Sequence, residues 1–349
     1  MTLPPNPVCS GVSPLPTLSL APMQDVSVLP LWRCLERRGG PDLYVTEYFR
    51  VHRDSHPEKT ILRSINEMSG IKPVIAQMIG NDPEHLVRTT KLIQETSDCA
   101  GIDLNLGCPA PKVCGKAAGG ALLRDRELIH RIAHELRSAV RGTLTLKTRI
   151  GFDSPEEFTA LLELFASLPI DGLAIHGRTV KEKYQTPVHP ESIERAVSSL
   201  PFPVTANGNI VSVDTALAMH RRTGAAGLMI GRGGIRNPWL FRQVKEALSG
   251  AEVHRPRLRD LRDYLLELGD EIDKEGDFDT ETQLVHRLKK FTNYISSGIS
   301  EGTLNDELRR TTSLSSFREI CDRHLDSDLP FPVDPADDGK LFCGFCELV

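Results

Sequence analysis

The strongest constraint on the fold is one unit that repeats along residues 1–235. Short apolar runs end in polar or glycine-containing turns, and each is followed by a stretch with the i, i+3, i+4 apolar spacing of a helix. The runs are Leu18–Ala21, Leu43–Thr46, Val74–Met78, Ile102–Asn105, Leu144–Thr148, Gly172–His176, Val204–Asn207 and Gly227–Ile230. Eight strand–helix units over about 220 residues predict an α/β fold of the (β/α)8 TIM barrel type. A doubly wound sheet is the competing architecture, but it would begin with a GxGxxG turn that this sequence lacks.

After Arg255 the pattern changes to helices without strands between them. Amphipathic helices are predicted over Leu258–Ile272, Glu281–Ile295 and Leu304–Cys321. The predicted organisation is therefore a Pro-rich leader (1–17), a barrel (18–245), a small all-helical domain (255–328) and an acidic tail (329–349).

Composition excludes several classes of protein. With 40% hydrophobic and 26% charged residues the chain has the make-up of a soluble globular protein. Every apolar run ends before the roughly 18 residues that a membrane helix needs, and the N-terminus lacks the pattern of a signal peptide. We therefore expect a cytoplasmic protein, monomeric, without a membrane or an obligate protein partner.

The eight cysteines favour neither a disulfide scaffold nor a metal centre. They are sparse, and without an export signal their thiols are expected to be reduced. Only Cys343 and Cys346 form a CxxC pair, and no second pair of ligands accompanies it, so no metal site is predicted.

Charge is unevenly distributed along the chain. The net charge of −5 argues weakly against a nucleic-acid partner, but residues 251–349 hold 13 Lys/Arg and 22 Asp/Glu, so residues 1–250 carry +4. A local basic face would matter more for such a partner than the total charge.

Polar, amide and sulfur groups follow the predicted strands at the end where barrels of this type carry their active sites. These positions are Pro22-Met23-Gln24, Glu47, Gln77, Asn105 with Cys108, Lys147 with Arg149, His176 with Arg178, Asn207-Gly208-Asn209 and Gly231-Arg232-Gly233. The last two sets follow the seventh and eighth strands, where glycine-rich backbone commonly binds phosphate. The sequence therefore predicts a phosphate site, although the same glycines could simply permit tight turns.

Lys147 ends a predicted strand and leaves three interpretations open. It could be a surface lysine, a Schiff-base nucleophile, or a cation that stabilises negative charge on a ligand. Together with Gln77 and His176 it suits a planar ligand rich in hydrogen-bond acceptors, such as a flavin with its monophosphate in the predicted phosphate site.

The loop from Asp103 to Leu123 (DLNLGCPAPKVCGKAAGGALL) is rich in glycine and proline, which is typical of a shaped catalytic segment. Cys108 lies three residues beyond the strand end, near Asn105, and is suited to act as an acid. Cys114 is the alternative thiol.

Several motifs taken together resemble the tRNA-dihydrouridine synthases. LAPMQDVS, DLNLGCPAPKV, LKTRIG, IHGRT, ANGNI and MIGRGG occur in the family's order over residues 18–240. The resemblance implies a barrel followed by a helical domain, with FMN-mediated, NADPH-dependent reduction of the C5=C6 bond of a D-loop uridine in tRNA. It implies that Cys108 is the acid that protonates C5. The implied FMN contacts are Pro22, Met23, Gln24, Gln77, Lys147, His176, Asn207, Gly208, Asn209, Gly231 and Arg232.

Within the family, three segments resemble the bacterial class that acts on uridine 16. They are TEYFRV at 46–51, HGRTVKEKY at 176–184 and HRLKKF at 286–291. The implied RNA-binding residues are Arg50, Asn105, Arg149, Arg178, Tyr184, Arg287 and Lys289.

Three other functions remain open at this point. One is a flavin barrel that reduces a small pyrimidine or an enone, which would need no RNA contacts. Another is a tRNA-binding protein that has lost catalysis, against which the intact Cys108, Lys147 and His176 argue. The third is a phosphate-binding barrel with Lys147 as a Schiff base, and this protein would be colourless.

Overall fold

Eight parallel strands close into a barrel, as the repeated unit predicts. The computed structural model describes residues 15–276 and 278–335. Strand β1 pairs with both β2 and β9, and β2 also pairs with β4, which closes the ring. The barrel strands are β1 (Thr17–Leu20), β2 (Leu43–Val45), β4 (Val74–Ile79), β5 (Gly101–Leu106), β6 (Thr143–Arg149), β7 (Gly172–His176), β8 (Val204–Asn207) and β9 (Gly227–Ile230).

A ninth strand, β3 (Phe49–Arg50), has no counterpart among the predicted runs. It pairs with the end of β4, opposite Met78 and Ile79, whereas β2 pairs with the beginning of β4. Strands β2 and β3 are therefore two segments of one barrel position, separated by residues 46–48. This break carries Glu47 and Tyr48 towards the C-terminal end of the barrel.

Helices cover the outside of the barrel and pack their apolar sides against it. Their starts follow local rules, since Asp82 accepts a hydrogen bond from the His85 backbone and Asp125 from that of Leu128. Pro83 and Pro190 occupy first turns, where no intrahelical N–H is needed. The helices are α1 (Leu29–Glu36), α2 (Lys59–Met68), α3 (Pro83–Thr96), α4 (Pro111–Cys114), α5 (Arg126–Ala139), α6 (Phe158–Ser167), α7 (Pro190–Ser199), α8 (Val213–Thr223), α9 (Arg232–Arg236) and α10 (Leu240–Leu248).

Within the described residues the barrel is followed by α11 (Leu258–Asp273), α12 (Glu281–Ile295), α13 (Thr303–Arg310) and α14 (Leu314–Leu325). The first two were predicted. The single helix predicted over Leu304–Cys321 is wrong, because the chain breaks at residues 311–313. Ser313 caps α14 by accepting a hydrogen bond from the Ser316 backbone, and such residues favour a helix start over a helix interior.

Ion pairs join the first of these helices to the barrel. Glu271 on α11 is buried and accepts hydrogen bonds from Arg33 (3.2 Å) and Arg37 (2.9 Å) on and next to α1. Arg33 also contacts Glu275 at 3.0 Å. These contacts fix α11 against the outside of the barrel.

Across residues 15–276 and 278–335, no helix is long and apolar enough to cross a membrane. The predicted leader up to residue 14, the tail beyond residue 335 and the pair Cys343 and Cys346 lie outside the described residues.

Candidate active site

The predicted site residues lie together at the mouth of the barrel, meaning the C-terminal ends of its strands and the loops that follow. Parallel pairing puts Asn105 beside Lys147 and Arg149 beside His176. His176 in turn lies beside Asn207 on the next strand. Side chains from β5, β6, β7 and β8 are therefore neighbours around one rim.

A buried set of polar side chains, which we name the amide chain (Thr145, Asp103, Gln77 and Asn105), lies among strands β4, β5 and β6. The Gln77 amide donates to Asp103 at 2.8 Å and accepts from the Asn105 amide at 2.9 Å. Thr145 donates to the other oxygen of Asp103 at 2.7 Å. Gln77 is 0% and Asp103 4% exposed, and burial raises the pKa of the Asp103 carboxyl to about 6. Asp103 is therefore ionised at neutral pH.

Cys108 is held by its backbone in the loop after β5. Its N–H donates to the Asn105 side-chain oxygen at 2.9 Å, and its carbonyl accepts from the Gly120 backbone at 3.1 Å. The Cys114 thiol donates to the same carbonyl at 3.4 Å. Gly119 has φ +58°, and a Cβ there would lie 3.1 Å from the Cys108 Cβ, so a side chain would disturb the loop. Cys108 as a residue is partly exposed.

Lys147 projects from β6 into the mouth. Its ammonium group donates to the Asn207 side-chain oxygen at 3.3 Å. Burial lowers the pKa of Lys147 to about 8, with Arg149 contributing in the same direction and Asp103 opposing it. Lys147 is therefore a cation at pH 7 that loses its charge more easily than an ordinary lysine.

His176 is a neutral imidazole. Burial, followed by the charges of Arg149 and Lys147, holds its pKa well below the ordinary value. Its Nδ1 is buried and has no hydrogen-bond partner among the described residues. A buried ring nitrogen without a partner is costly unless a ligand supplies one.

Arg149 joins two loops of the mouth. Its guanidinium donates to the carbonyl of Gly107 at 2.9 Å, to that of Thr179 at 2.7 Å and to that of Lys183 at 2.8 Å. Only 2% of Arg149 is exposed, and burial lowers its pKa. The side chain predicted to contact RNA therefore has a role within the protein, and its RNA contact stays a prediction.

The two glycine loops, residues 207–209 and 231–233, lie next to each other. The Asn207 amide donates to the Met229 carbonyl at 2.7 Å, which ties the end of β8 to β9. Gly208 has φ +122°, and a Cβ there would come within 2.8 Å of Val188, so only glycine fits. Asn209 adopts φ +50° and accepts from buried Arg178 at 3.0 Å.

Tyr184 forms an aromatic wall beside these loops. Its ring meets His176 edge-on at 5.9 Å, and the Arg232 guanidinium lies over it at 4.8 Å from the centroid. Tyr184 remains 43% exposed, so it can still contact a ligand that enters the mouth.

The loop after β1 contains Pro22, Met23 and Gln24 and completes the rim. The Met23 backbone donates to the Ser27 hydroxyl at 2.7 Å, which fixes the turn. The Gln24 side-chain oxygen is buried without a hydrogen-bond partner among the described residues. Like the His176 ring nitrogen, it can bind a polar ligand.

The matching family model is described as dihydrouridine synthase (Dus), and it covers residues 19–328. The chain belongs to this family. The family's enzymes are flavin-dependent oxidoreductases that act on the uridine C5=C6 bond in tRNA, and this chain shares that class of activity.

Two kinds of bacterial relative have similar identity. The tRNA-dihydrouridine synthase B of Pseudomonas putida is 36% identical over 253 residues, or 72% of this chain and 74% of the relative. The tRNA-dihydrouridine(16) synthase of the same organism is 35% identical over 262 residues, or 72% and 80%. The tRNA-dihydrouridine(16) synthase of Neisseria meningitidis is 33% identical over 243 residues, or 67% and 72%. Identity therefore does not decide which uridine is the substrate.

Solved structures with distant sequences share the fold. Histamine dehydrogenase from Rhizobium sp. 4-9 superposes with a TM-score of 0.51 at 12% identity, covering 73% of this chain and 49% of that one. A 2-naphthoyl-CoA reductase gives 0.50 at 12% identity, covering 67% and 50%. At such identity the likeness shows the barrel fold alone.

The outer residues with a predicted RNA contact lie in different settings in this dihydrouridine synthase. Arg50 is exposed, with its guanidinium 5.6 Å from the Tyr48 ring. Arg287 points from α12 to Asp25 in the loop after β1, at 3.8 Å, and Lys290 reaches the same carboxylate at 3.1 Å. The cationic side of α12 therefore contacts the barrel loop as well as solvent.

Sequence reasoning missed two residues of the synthase's site. Tyr48 lies close to Cys108 and Arg50; burial and then the Cys108 thiol raise the pKa of its phenol, and Arg50 opposes this. Asp103 lies two residues before Asn105, so the alternation of a strand puts both side chains on one face. That alternation was a usable signal for Asp103, whereas Tyr48 depends on the break between β2 and β3.

Glu47 lies behind the loop after β1 in the synthase. It was noted at a strand end without an assigned role. Burial raises the pKa of its carboxyl to about 7, while Arg287 lowers it and Asp25 raises it. The nearby backbones of Asp25 and Val26 also lower this pKa, so Glu47 lies directly beside this loop.

Proposed function

We propose that the protein is an FMN-dependent tRNA-dihydrouridine synthase that uses NADPH to reduce the C5=C6 bond of a D-loop uridine, uridine 16. The observation that carries the proposal is the convergence of Cys108, Lys147 and neutral His176 at one barrel mouth. A hydrogen bond to Asn105 fixes the backbone of Cys108. The site around it is lined by cations and by glycine-rich loops.

The residues present fit FMN. The side-chain oxygen of Gln24 is a buried acceptor, and the Nδ1 of His176 is a buried ring nitrogen. Neither atom has a hydrogen-bond partner among the described residues. The isoalloxazine edge carries both donors and acceptors, and we assign it to these groups and to Lys147. We assign the phosphate to the two glycine loops, where Gly208 leaves space and Arg232 supplies charge. When bound, FMN supplies the two-electron reduction at C6 of uracil.

Cys108 supplies the proton that completes the reaction. Reduction at C6 leaves negative charge shared between C5 and O4 of the base. An ordinary thiol has a pKa near ~8.5, so it is mostly protonated at pH 7 and can donate to C5. Lys147, with its pKa of about 8, adds a nearby positive charge under the same conditions.

The chain must also admit a base that is stacked inside folded tRNA. Extruding a base costs a few kcal/mol, and contacts to the phosphate backbone and stacking in the pocket offset this cost. We assign phosphate contacts to Arg50, Arg287 and Lys289, and stacking to the exposed ring of Tyr184. The choice of uridine 16 rests on the segments at 46–51, 176–184 and 286–291. Because tRNA is processed in the cytoplasm of bacteria, we place the enzyme there as a monomer.

The decisive experiment combines tRNA from a deletion strain with purified protein. We expect nucleoside mass spectrometry to show loss of dihydrouridine at position 16 in the deletion strain, and its restoration by the yellow, FMN-containing protein with NADPH. Loss of dihydrouridine at another D-loop position would still support the synthase activity, but it would show that uridine 16 is not the substrate. A colourless protein that does not bind FMN, or turnover of free pyrimidines without tRNA, would contradict the proposal.

A further inference from the structure

The amide chain connects a buried carboxylate to the backbone of Cys108. Thr145 and Gln77 both donate to Asp103, at 2.7 and 2.8 Å. Asn105 donates to Gln77 at 2.9 Å, and Cys108 N–H donates to Asn105 at 2.9 Å. From Cys108 through Asn105 and Gln77, each hydrogen bond points in the same sense, from the catalytic loop inwards to Asp103, and Thr145 donates to the other oxygen of that carboxylate.

The Asp103 carboxylate and the Cys108 N–H lie at the two ends of this series of hydrogen bonds and fix its direction. An ionised carboxylate only accepts hydrogen bonds, and a backbone N–H only donates them. The two amides between these ends can each turn over, exchanging oxygen for nitrogen. If Gln77 turned over, its nitrogen would meet the nitrogen of Asn105. Asn105 would then have to turn as well, and its nitrogen would face the N–H of Cys108.

We propose that Asp103 is a positioning residue, which fixes the orientation of the Gln77 and Asn105 amides and thereby holds Cys108 in place for proton donation. The role of Cys108 in this statement rests on the proposed function. Asp103 itself is too deep to touch a substrate, since only 4% of it is exposed. Asp103 acts through the Gln77 and Asn105 side chains. Because their orientation is fixed, the Asn105 oxygen faces the N–H of Cys108 and accepts its hydrogen bond.

Four variants test whether the orientation of the Gln77 and Asn105 amides affects Cys108, as distinct from the effect of any change at a buried position. Asp103→Leu removes the acceptor. Asp103→Asn can keep the chain, because its new amide nitrogen can donate to the Thr145 hydroxyl while its oxygen still accepts from Gln77. Gln77→Glu sets two carboxylates against each other. Adding Asp103→Asn to Gln77→Glu removes this repulsion, because the new amide at position 103 can donate to the new carboxylate at position 77, which still accepts from the Asn105 amide.

Asp171→Asn is the matched control. Asp171 accepts from the Leu144 backbone N–H and from Arg137, each at 2.8 Å, at the opposite end of β6 from the mouth. It therefore reports the cost of exchanging a structural aspartate without affecting Cys108.

The readouts are single-turnover dihydrouridine formation per bound FMN and hydrogen exchange of the Cys108 amide in [15N]cysteine-labelled enzyme. A catalytic group displaced by about 1 Å loses roughly 10²-fold in rate. We expect a loss of this order, with faster Cys108 exchange and an unchanged KM for tRNA, in Asp103→Leu and Gln77→Glu. We expect Asp103→Asn and Asp171→Asn to stay near wild type in both readouts, and the double variant to show slower Cys108 exchange and a faster single turnover than Gln77→Glu alone.

Each outcome decides the proposal. Wild-type rate and exchange in folded Asp103→Leu would overturn it, as would a double variant no better than Gln77→Glu. If Asp103→Leu does not fold, the Gln77→Glu pair gives the answer. If the wild-type enzyme forms no dihydrouridine, the proposed function fails, and the Cys108 exchange rates alone then test the role of Asp103.

Discussion

The Cys114 thiol donates a hydrogen bond to the Cys108 carbonyl at 3.4 Å, so the two cysteines of the loop have different roles. Cys114 supports the backbone of Cys108 from below, and burial raises the pKa of its thiol above the ordinary value. Cys108 has its backbone fixed at both N–H and carbonyl, and the residue is partly exposed. The geometry therefore favours Cys108 as the reactive sulfur.

Replacing each cysteine by alanine tests this assignment. Cys108→Ala should still bind tRNA and oxidise NADPH, yet form dihydrouridine about 10²–10⁴-fold more slowly, the usual effect of losing a general acid. Cys114→Ala should keep most of the activity, because it removes one weak hydrogen bond from a backbone that Asn105 and Gly120 also hold. Mass spectrometry of the tRNA product measures both. The reverse ranking would show that Cys114 is the acid.

Tyr48→Phe should slow the proton transfer without affecting NADPH oxidation. The phenol of Tyr48 lies close to Cys108, and it can donate a hydrogen bond to the thiolate that remains after the thiol gives up its proton. A hydrogen bond to a charged group contributes about 1.5–3 kcal/mol, so the rate should fall about 10- to 100-fold. Mass spectrometry of the tRNA product measures this rate, and NADPH oxidation is followed separately.

Tyr264→Phe is the control for this change. Tyr264 lies on α11 outside the mouth, is fully buried, and its hydroxyl has no partner among the described residues. It should lose none of the activity. Equal losses in the two variants would mean that Tyr48 acts through folding rather than through the Cys108 thiol.

FMN affinity should weaken as the pH rises through the pKa of Lys147, about 8. Below this pH the side chain is a cation that attracts the ligand, and above it the attraction is lost, so the dissociation constant should increase between about pH 7 and pH 9. Fluorescence titration of the apoprotein measures this. Lys147→Ala should bind weakly at every pH, and Lys147→Arg should bind without this pH dependence. A flat wild-type curve would refute the assignment.

Local patterns predicted the elements that carry most of the site. The polar groups at Asn105, Lys147, His176 and Asn207 were found because each ends a run of apolar residues, and parallel strands bring such ends together. The two-residue strand β3 and the break at residues 311–313 were missed. Segments this short cannot show the periodic spacing of apolar residues on which the predictions depend.

The amide chain could not be predicted from local patterns. Gln77 lies opposite Asp103, and Asn105 opposite Lys147, only through strand pairing between segments far apart in the sequence. The same limitation applies to Arg149 and Arg178. Both look like exposed cations in the sequence, yet their guanidinium groups are buried and bound to loop oxygens.

The cationic side of α12 should contribute to tRNA binding. Replacing Arg287 and Lys289 together by alanine should raise the KM for tRNA and reduce the salt dependence of binding by about one to two phosphate contacts. Flavin content and NADPH oxidation should not change. Binding measured over a series of salt concentrations gives the slope, and a wild-type slope would exclude these cations from the interface.

Asp25→Asn distinguishes a direct contact from an indirect one. Asp25 pairs with Arg287 and Lys290, so alanine at 287 also removes one of the two ion pairs between α12 and the loop after β1. Asp25→Asn breaks both ion pairs but keeps both cations available to phosphate. If Arg287 binds tRNA directly, Asp25→Asn should maintain or increase the salt slope. If instead the helix acts by holding the loop, Asp25→Asn should weaken tRNA binding as much as the loss of Arg287 does.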